Sequence, residues 1–580
     1  MGGVVKTDIQ GAERQQEITI EKPGPSARLA RFLARSAYSP MRTWRLAMLA
    51  MLVLVTTICA VWRVIDRYQM SGNPPTLVQA TDFLYAPFLY LVPQTSFENA
   101  AVLSLPEIIA RITGPLIPAL SLFWLLRQRL LVWSAQRLAA HGLSGHAVVF
   151  GKDGSADTLA LESSIAGQVV VLIDPSVSDD EEREHRLGMA GVICLAAVPA
   201  SLAMAGSIHV WQQSDTDNIA SASALRTRHD LSVEEIDLLV SSTDLQAALL
   251  QSPDLMLDRR IRLRPHSLSG AAIRAALANP EAVELAIELG QPRVTLCLWG
   301  RSDALLWAAE IALQQFWSVR LGAPRILWAG TEAGSRLPES LEHLLCHAEG
   351  VFGKGDQCPQ VSILPADAAC CADDVTCHLV DAGDADATLA QAFALAAKLR
   401  QAHRQPAPVR PVLASGSGIA PLFASDKLVF LPPIIPGAGV TVAGLRNRWA
   451  DQKAAEIHLA YDRQFGGDGA APASGRWQDL PETYVAANRA AADHLAIKSW
   501  DAATSGMKGD ALIEAMAQIE HNRWSAERLL ARWAPAGNGA RDNLRRLHPD
   551  LRPWDALGDG ARQKDRDAVR KIIGANALAI

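Results

Sequence analysis

Residues 146–174 read HAVVFGKDGSADTLALESSIAGQVVVLID, and their reading decides the fold. His146 to Gly151 is a short apolar run of the kind that forms a strand buried on both faces, and the glycine-containing turn 151–156 breaks it. Thr158 to Ile165 then carries a helical apolar period, and Val169 to Asp174 is a second buried strand. Strand, turn, helix and strand within about thirty residues make a βαβ unit with parallel strands.

Upstream the chain reads as membrane. Ile112 to Leu126 is almost wholly apolar and runs into Arg127, Arg129 and Arg137, a basic edge of the kind held on the cytoplasmic side. Trp44 to Trp62 is interrupted only by Arg45 and two threonines, and it approaches the roughly 20 residues that span hydrocarbon. Arg28, Arg31, Arg35 and Arg42 precede it, so the two spans form a hairpin with both termini cytoplasmic, multi-pass in the inner (plasma) membrane. Residues 1–43 are expected to be a flexible cytoplasmic tail and 44–134 the membrane domain. Phe83 to Val92 is apolar but too short to cross, which fits a re-entrant or interfacial piece. Glu107 lies one turn before Arg111 and offers it an ion pair.

Downstream the strand–helix alternation continues. Ile236 to Ser242, Ile261 to Arg264 and a helix from Ala271 complete a doubly wound domain over 145–285. A second begins at Arg293 with the run RVTLCLWG and the helix Ser302 to Phe316. Strands are expected at 325–329, 360–364, 378–381, 411–414 and 428–431, with an Ala-rich helix over 385–400, giving a second unit over 290–435. Pro432, Pro433, Pro436 and Gly437 mark a linker, and from Ala454 the pattern turns helical, so 445–580 is a third, mainly α domain. The expected fold is a membrane α-helical hairpin plus α/β, two tandem Rossmann-like units and a helical C-terminal domain.

Composition narrows the function. A net charge of −6 over 580 residues, with 49 % hydrophobic and 20 % charged residues, lacks the basic signature of a nucleic-acid binder. Eight cysteines without paired spacings read as reduced cytosolic thiols. Cys346, Cys358, Cys370, Cys371 and Cys377 with His347 and His378 match no zinc spacing, so no metal site is expected. Nothing marks a catalytic acid–base pair, and an enzyme is not expected.

The run from Gly151 to Ala160, followed by VVVLID, resembles the TrkA-N or RCK domain that gates many prokaryotic potassium channels and transporters. In register with that family's G-x-G-x-x-G turn, Gly151 holds the first position, Asp153 the second and Ala156 the third. The resemblance implies a phosphate-type ligand at the helix N-terminus, near Gly151, Asp153 and Gly154, with Asp174 toward a ribose. Asp153 puts a side chain and a negative charge where backbone should approach pyrophosphate. The segment SIHVWQQSDTDNI (207–219) resembles the family's next strand and turn, which implies Asp217 and Asn218 at the ligand edge. In the second unit only Gly300 survives, with Ser302 and Leu305 at the other positions, so that unit is structural or a dimerisation partner.

Ile457-His458, Tyr461, Trp477, Asn488-Arg489, His494, Glu520-His-Asn-Arg-Trp524, Glu527-Arg528, Trp533, His548-Pro549 and Asp565-Arg566 follow the pattern of the RyR domain, repeated in ryanodine receptors. Glu520, Trp524 and Glu527 fall at i, i+4 and i+7 on one helical face, with His521 and Arg528 on the adjoining stripe. Such a face is either an internal network, with a glutamate accepting from Arg523 or Arg528, or a pocket. In the pocket, Trp524 or Trp533 stacks a planar ligand and Arg528, Arg489 or His494 meets phosphate. The ligand set is then Asn488, Arg489, His494, Glu520, His521, Asn522, Trp524, Glu527, Arg528 and Trp533.

The favoured expectation is a ligand-regulated membrane cation channel, or channel-like subunit, whose RCK-like and RyR-like domains sense a small nucleotide-like ligand and move the spans. Its partners are the lipid bilayer, monovalent or divalent cations and other copies in a homo-oligomer, a tetramer being favoured; no other cofactor is indicated. The alternative is a non-conducting, membrane-anchored nucleotide sensor or scaffold.

Overall fold

The structure, a computed structural model, describes residues 25–38, 43–71, 87–91, 104–152, 154–251, 261–329, 337–403, 407–413, 423, 430–437, 440–441, 445, 449–465, 477, 480 and 482–577. Three helices come first: α1 (Pro25–Tyr38), α2 (Thr43–Ser71) and α3 (Leu105–His141). Stretches of α2 and α3, Ala47–Asp66 and Leu105–Phe123, are long and apolar enough to cross a membrane. The two helices pack side by side, joined by a 2.8 Å contact between the Thr56 and Thr113 hydroxyls. Glu107 does pair with Arg111 at 3.0 Å, and Arg63 of α2 joins it at 2.8 Å. Of the apolar piece 83–92 only residues 87–91 are described; they make a short helical turn against Gly114, where a Cβ would stand 2.0 Å from the Tyr90 carbonyl oxygen.

Residues 25–38 correct the expected flexible tail. They form a helix because alanines recur on one face, and Ala27, Ala30 and Ala34 bury against Ala135 and Ala139 of α3. Arg127 donates to the Ser36 carbonyl at 2.7 Å, and the Tyr38 hydroxyl bonds Glu184 of the next domain. α1 thus ties the lower part of α3 to the first sheet unit.

That unit holds β1 (His146–Phe150), α4 (Gly154–Ile165), β2 (Val170–Ile173), α5 (Glu181–Ala190), β3 (Ile193–Leu195), β4 (Ala205–Val210), α6 (Asp215–Arg226), β5 (Glu235–Leu239), α7 (Thr243–Gln251), β6 (Arg262–His266), α8 (Leu268–Leu277) and α9 (Glu281–Glu288). The six strands are parallel in the order β3-β2-β1-β4-β5-β6, so the chain reverses direction across the sheet between β1 and β4. Strands β1 and β2 are buried throughout, which is why they read as unbroken apolar runs.

The second unit repeats the plan with β7 (Thr295–Gly300), α10 (Asp303–Gln315), β8 (Arg325–Ala329), α11 (Glu339–Phe352), β9 (Gln360–Leu364), α12 (Ala366–Cys370), β10 (Cys377–Asp381), α13 (Ala385–Ala402) and β11 (Val409–Pro411). Its parallel order, β9-β8-β7-β10-β11, has the same reversal point. Of the expected strand 428–431 only 430 and 431 are described, and Phe430 bridges to Val409.

At both reversal points a glycine ends the first strand. A Cβ on Gly151 would lie 2.0 Å from the Trp211 carbonyl oxygen and 2.6 Å from Ala156 Cβ; one on Gly300 would lie 1.8 Å from the Asp381 carbonyl oxygen. Gly300 also has φ +123°, which side chains rarely adopt. These glycines let the end of the fourth strand close on the first.

The C-terminal domain contains α14 (Trp449–Phe465), α15 (Glu482–Asp493), α16 (Leu495–Thr504), α17 (Gly509–Leu530), a small parallel pair β12 (Ala534–Pro535) and β13 (Leu547–His548), and α18 (Asp559–Ala577). It has a small cluster of its own, Leu512, Met516, Ala517, Trp554, Leu557 and Val569, but its largest apolar contact is shared. Ile519, Ala526, Leu529 and Leu530 of α17 share one apolar cluster with Leu305, Ile311 and Leu344 of the second unit. Polar contacts seal the seam: Asp501 accepts from the Ser318 hydroxyl at 2.8 Å and from the Val319 amide at 3.0 Å.

Replacing either strand-end glycine with alanine is expected to destabilise the protein by roughly 1–3 kcal/mol, because each backbone neighbour must move. Gly154→Ala, with nothing within 4 Å of the new Cβ, should stay within about 0.5 kcal/mol of wild type. Denaturant unfolding of the three variants checks the contrast, and equal losses at all three positions would contradict it.

Candidate functional site

Three cavities hold some of the residues singled out by sequence. The first, about 490 Å³, lies where the C-terminal edges of the two sheets meet. Gly154, Ser155 and Trp211 line it from the first unit, Ser302, Asp381 and Asp384 from the second. The starts of α4, α10 and α13 therefore open on one space.

Most residues offered to a ligand in the first unit are engaged elsewhere. Gly151 serves the strand packing described above, and Asp153 lies outside the described residues. Asp174 is fully buried; one oxygen accepts from the Ser176 amide and hydroxyl at 2.8 Å, and the other pairs with Arg183. Arg183 in turn holds Asp157 at 2.8 Å. With no exposure and three of its roughly four acceptor sites taken within the unit, this carboxylate is turned inward and not toward a ribose, which corrects the expected role. Asn218 is also structural: its carbonyl accepts from the Gln212 amide at 2.6 Å and its amide donates to the Gln212 carbonyl at 3.0 Å. Asp217 is exposed in the first turn of α6. Its neighbour Asp215 does the holding, accepting from the Ser241 and Ser242 amides at 2.9 Å. Among the described residues of the predicted set, only Gly154 lines the cavity.

The second cavity, about 270 Å³, lies within the C-terminal domain. α17 supplies Glu520, His521, Arg523, Trp524 and Arg528; α15 supplies Tyr484 and Asn488. The loop after β12 adds Arg541, β13 adds His548, and α18 adds Lys564 and Asp565. Trp524 meets the edge of His548 at 4.9 Å between ring centroids, and His521 lies 5.7 Å from Trp524. Arg528 stands 5.9 Å from the Tyr484 ring centre and 5.3 Å from that of Trp533. Arg541 sits over the same two rings at 5.6 and 5.5 Å and donates to the Tyr484 hydroxyl at 2.6 Å. Two guanidinium groups are thus fixed against aromatic faces at one side of the space, an arrangement that receives a planar anion.

Below this lining lies a buried ion cluster. Arg523 donates to both oxygens of Glu520, at 3.0 and 2.9 Å, and Lys498 pairs with the same carboxylate. Burial opposes ionisation of Glu520, but Arg523 and Lys498 outweigh it and hold the carboxyl well below the ordinary range. Burial, aided by the Arg541 charge, pushes His548 down to about 4, so it is neutral near pH 7. Asp565 is raised by burial, with His521 opposing.

The predicted helical face divides. Glu520 and Trp524 line this cavity, whereas Glu527 and Arg489 line a third, about 170 Å³, at the junction of all three domains. Arg489 therefore does not meet a ligand held by Trp524. His494 is also withdrawn: it is fully buried, its Nε2 bonds the Trp317 carbonyl at 2.8 Å, and burial pushes it down to about 3. Asn522 points to Gln357, donating at 3.2 Å, and Trp533 is buried beneath the two arginines rather than in the lining. Tyr484, Arg541 and Lys564 were missed by sequence. Arg541 and Lys564 are ordinary surface residues locally, and only the loop and α18 bring them to Trp524.

Residues 506–577 match the RyR domain family. The match covers α17, β12, β13 and α18, while α14 and α15, which complete the cavity, precede it. No curated protein matches the chain. Among solved structures, GsuK bound to ADP resembles it at 15 % identity and a TM-score of 0.32, covering 69 % of this chain and 94 % of that one. The GsuK channel bound to NAD does so at 13 % identity and a TM-score of 0.32, covering 73 % and 86 %.

Glu520→Gln should cost about 3–5 kcal/mol of stability, since it leaves Arg523 and Lys498 buried without their anion. The carboxyl is depressed in the folded state, so its contribution is complete at neutral pH and fades as pH falls through and below the ordinary carboxylate range. Denaturant unfolding of wild type and variant at pH 7 and pH 4 measures both effects, and the gap between them should narrow at the lower pH.

Proposed function

We propose that this protein is a membrane-anchored nucleotide sensor whose ligand, held in the RyR-matched domain, regulates a cation pathway formed by the membrane helices of several copies. The observation that carries this reading is the 270 Å³ cavity, lined by the rings of Trp524 and His548 and by the guanidinium groups of Arg528 and Arg541. A base stacks on the ring surfaces, and its phosphate reaches the guanidinium groups. The chain acts as a receptor and not as a catalyst.

Support for regulation comes from the way the domains are joined. Ligand contacts on α17 lie on the helix whose apolar residues share the second unit's core. Arg532, just beyond α17, pairs with Asp244 of the first unit and Glu339 of the second, each at 3.2 Å. The first unit grips α3 through α1, and α3 contains one of the two apolar stretches. A ligand that binds one arrangement of these domains better than another shifts the helices by that difference in free energy.

The test is calorimetric titration of the detergent-solubilised full chain with ADP, NAD and GTP. One of them should bind saturably, and Trp524→Ala should weaken it about tenfold or more, the worth of one stacked base. Arg541→Ala, at an exposed position, should weaken it and reduce its salt dependence. Because a bound phosphate favours protonated His548, affinity should rise as pH is lowered from 7 toward 5. No heat with any of the three compounds would sink the nucleotide assignment. Cation flux in proteoliposomes then separates a channel from a non-conducting sensor: ligand-dependent flux supports the first, and flux equal to empty vesicles supports the second.

A further inference from the structure

The third cavity, about 170 Å³, plays no part in the nucleotide reading. Each domain supplies one of its walls: Thr243 and Gln246 of α7 from the first sheet unit, Trp307 and Glu310 of α10 from the second, and Arg489 and Glu527 of α15 and α17 from the C-terminal domain. Buried polar groups almost always find a partner, because one left without it gives up its hydration for nothing. Four residues lining this cavity depart from that rule. The Thr243 hydroxyl, the Gln246 side-chain carbonyl and the Trp307 indole N–H are buried without a hydrogen bond, and Glu527 Oε2 meets Arg528 Nε at 3.3 Å without forming one. Among the described residues, the first and second cavities have one such lining group each, on Trp211 and Arg523. Thr243 and Glu527 are only 6 % and 5 % exposed, so bulk water does not serve them.

Charge is out of balance at the same place. Asp244 pairs with Arg532 at 3.2 Å, Arg274 with Asp493 at 2.9 Å and Glu527 with Arg528, while Arg489 has a partner of its own. His266, which also lines the cavity, is held by Asp237 at 2.7 Å. Among the described residues, Glu310 has no cation within ion-pair reach; its Oε1 accepts from the Ser340 hydroxyl at 2.5 Å, and no group donates to its Oε2. Burial pushes its carboxyl up to about 7, with Asp244 adding to the rise and Ser340 and Arg532 opposing it.

The groups left without partners define their own complement. Glu310, Gln246 and Glu527 present oxygen acceptors, which suit N–H donors carrying positive charge, whereas the Trp307 N–H needs an oxygen. Ala247, Ala271 and Leu530 add apolar wall. A bare metal ion would satisfy the acceptors and leave the indole donor and the apolar wall unmatched.

We propose that this cavity binds a small organic amine with an oxygen at its other end, an amino alcohol being the simplest case. Its ammonium group pairs with Glu310 and donates to the Gln246 carbonyl and the Thr243 hydroxyl. Its oxygen accepts from Trp307, and its carbons rest on the alanines and Leu530. Such a ligand touches all three domains at once, so it favours the arrangement in which they meet and is an input separate from the Trp524 cavity. The ammonium favours ionised Glu310, so affinity rises with pH, by about tenfold between pH 6 and pH 8.

Thermal unfolding of the detergent-solubilised full chain tests this, with aminobutanol as the probe, butanediol as its uncharged counterpart and potassium chloride as the ionic control. Aminobutanol should raise the unfolding temperature saturably, more strongly at pH 8 than at pH 6, and the two controls should not. Glu310→Gln keeps an acceptor for Ser340 and removes a carboxyl that burial disfavours, so it folds; it should raise the half-saturating concentration about tenfold or more. Trp307→Phe should weaken aminobutanol about fivefold and leave butylamine, which lacks the oxygen, unchanged. Binding that survives Glu310→Gln, a response matched by potassium chloride, or no saturable response to either amine would overturn the proposal, the last result meaning that water alone fills the cavity.

Discussion

The burial of α17 is the constraint on which the part of the chain beyond α3 depends. Its last three turns are buried almost without interruption, yet they include Glu520, His521, Asn522, Arg523, Glu527 and Arg528. A helix with that many charges enters a protein interior only if each finds a partner there. Glu520 finds Arg523 and Lys498, Arg528 finds Glu527 at 3.3 Å, and His521 faces Asp565 at 3.6 Å. The apolar remainder of the helix is spent on the second sheet unit. Position and charge state of the cavity lining are therefore set by the interface between domains, and the C-terminal domain cannot shift on the second unit without disturbing the lining.

A different constraint shapes the two sheet units. In each, the first and fourth strands run so close at their ends that only glycine fits, and the space beyond those ends is where the units face each other. The sequence feature that suggests a phosphate turn is thus first a packing feature. Gly151 is needed whether or not anything binds nearby, whereas Gly154, with open space before it, and Ser155 are the described residues of that turn that face the cavity.

Mechanical continuity runs from one end of the chain to the other. The 37-residue α3, about 55 Å long at 1.5 Å per residue, reaches from the apolar stretch to the first sheet without a break. Gln136 of α3 donates to the Cys194 carbonyl at 2.9 Å, and Arg31 of α1 donates to the Ser164 carbonyl, so the helix pair is bonded to the unit it enters. Interfaces of this kind transmit rigid-body displacement because packed side chains do not deform continuously.

The sequence by itself determined what depends on local period. Runs such as HAVVF and VVVLID had to be strands buried on both faces, the two long apolar segments had to be helices, and the spacing of Glu520, Trp524 and Glu527 had to share a helical stripe. Those features follow from side-chain periodicity and the need to bury apolar surface, which neighbours in the chain already express. The alanine face of α1 was legible too, but its basic neighbours drew the reading toward a solvated tail. Only the tertiary structure decided which partner each polar group takes. Asp174 turns to Arg183 and not to a ligand, Arg489 lines a different cavity from its neighbour Asn488, and Arg541 reaches Tyr484 from 57 residues away. A charge accepts any complementary group that folding brings near, and that choice is made by segments remote in sequence, so no local pattern records it.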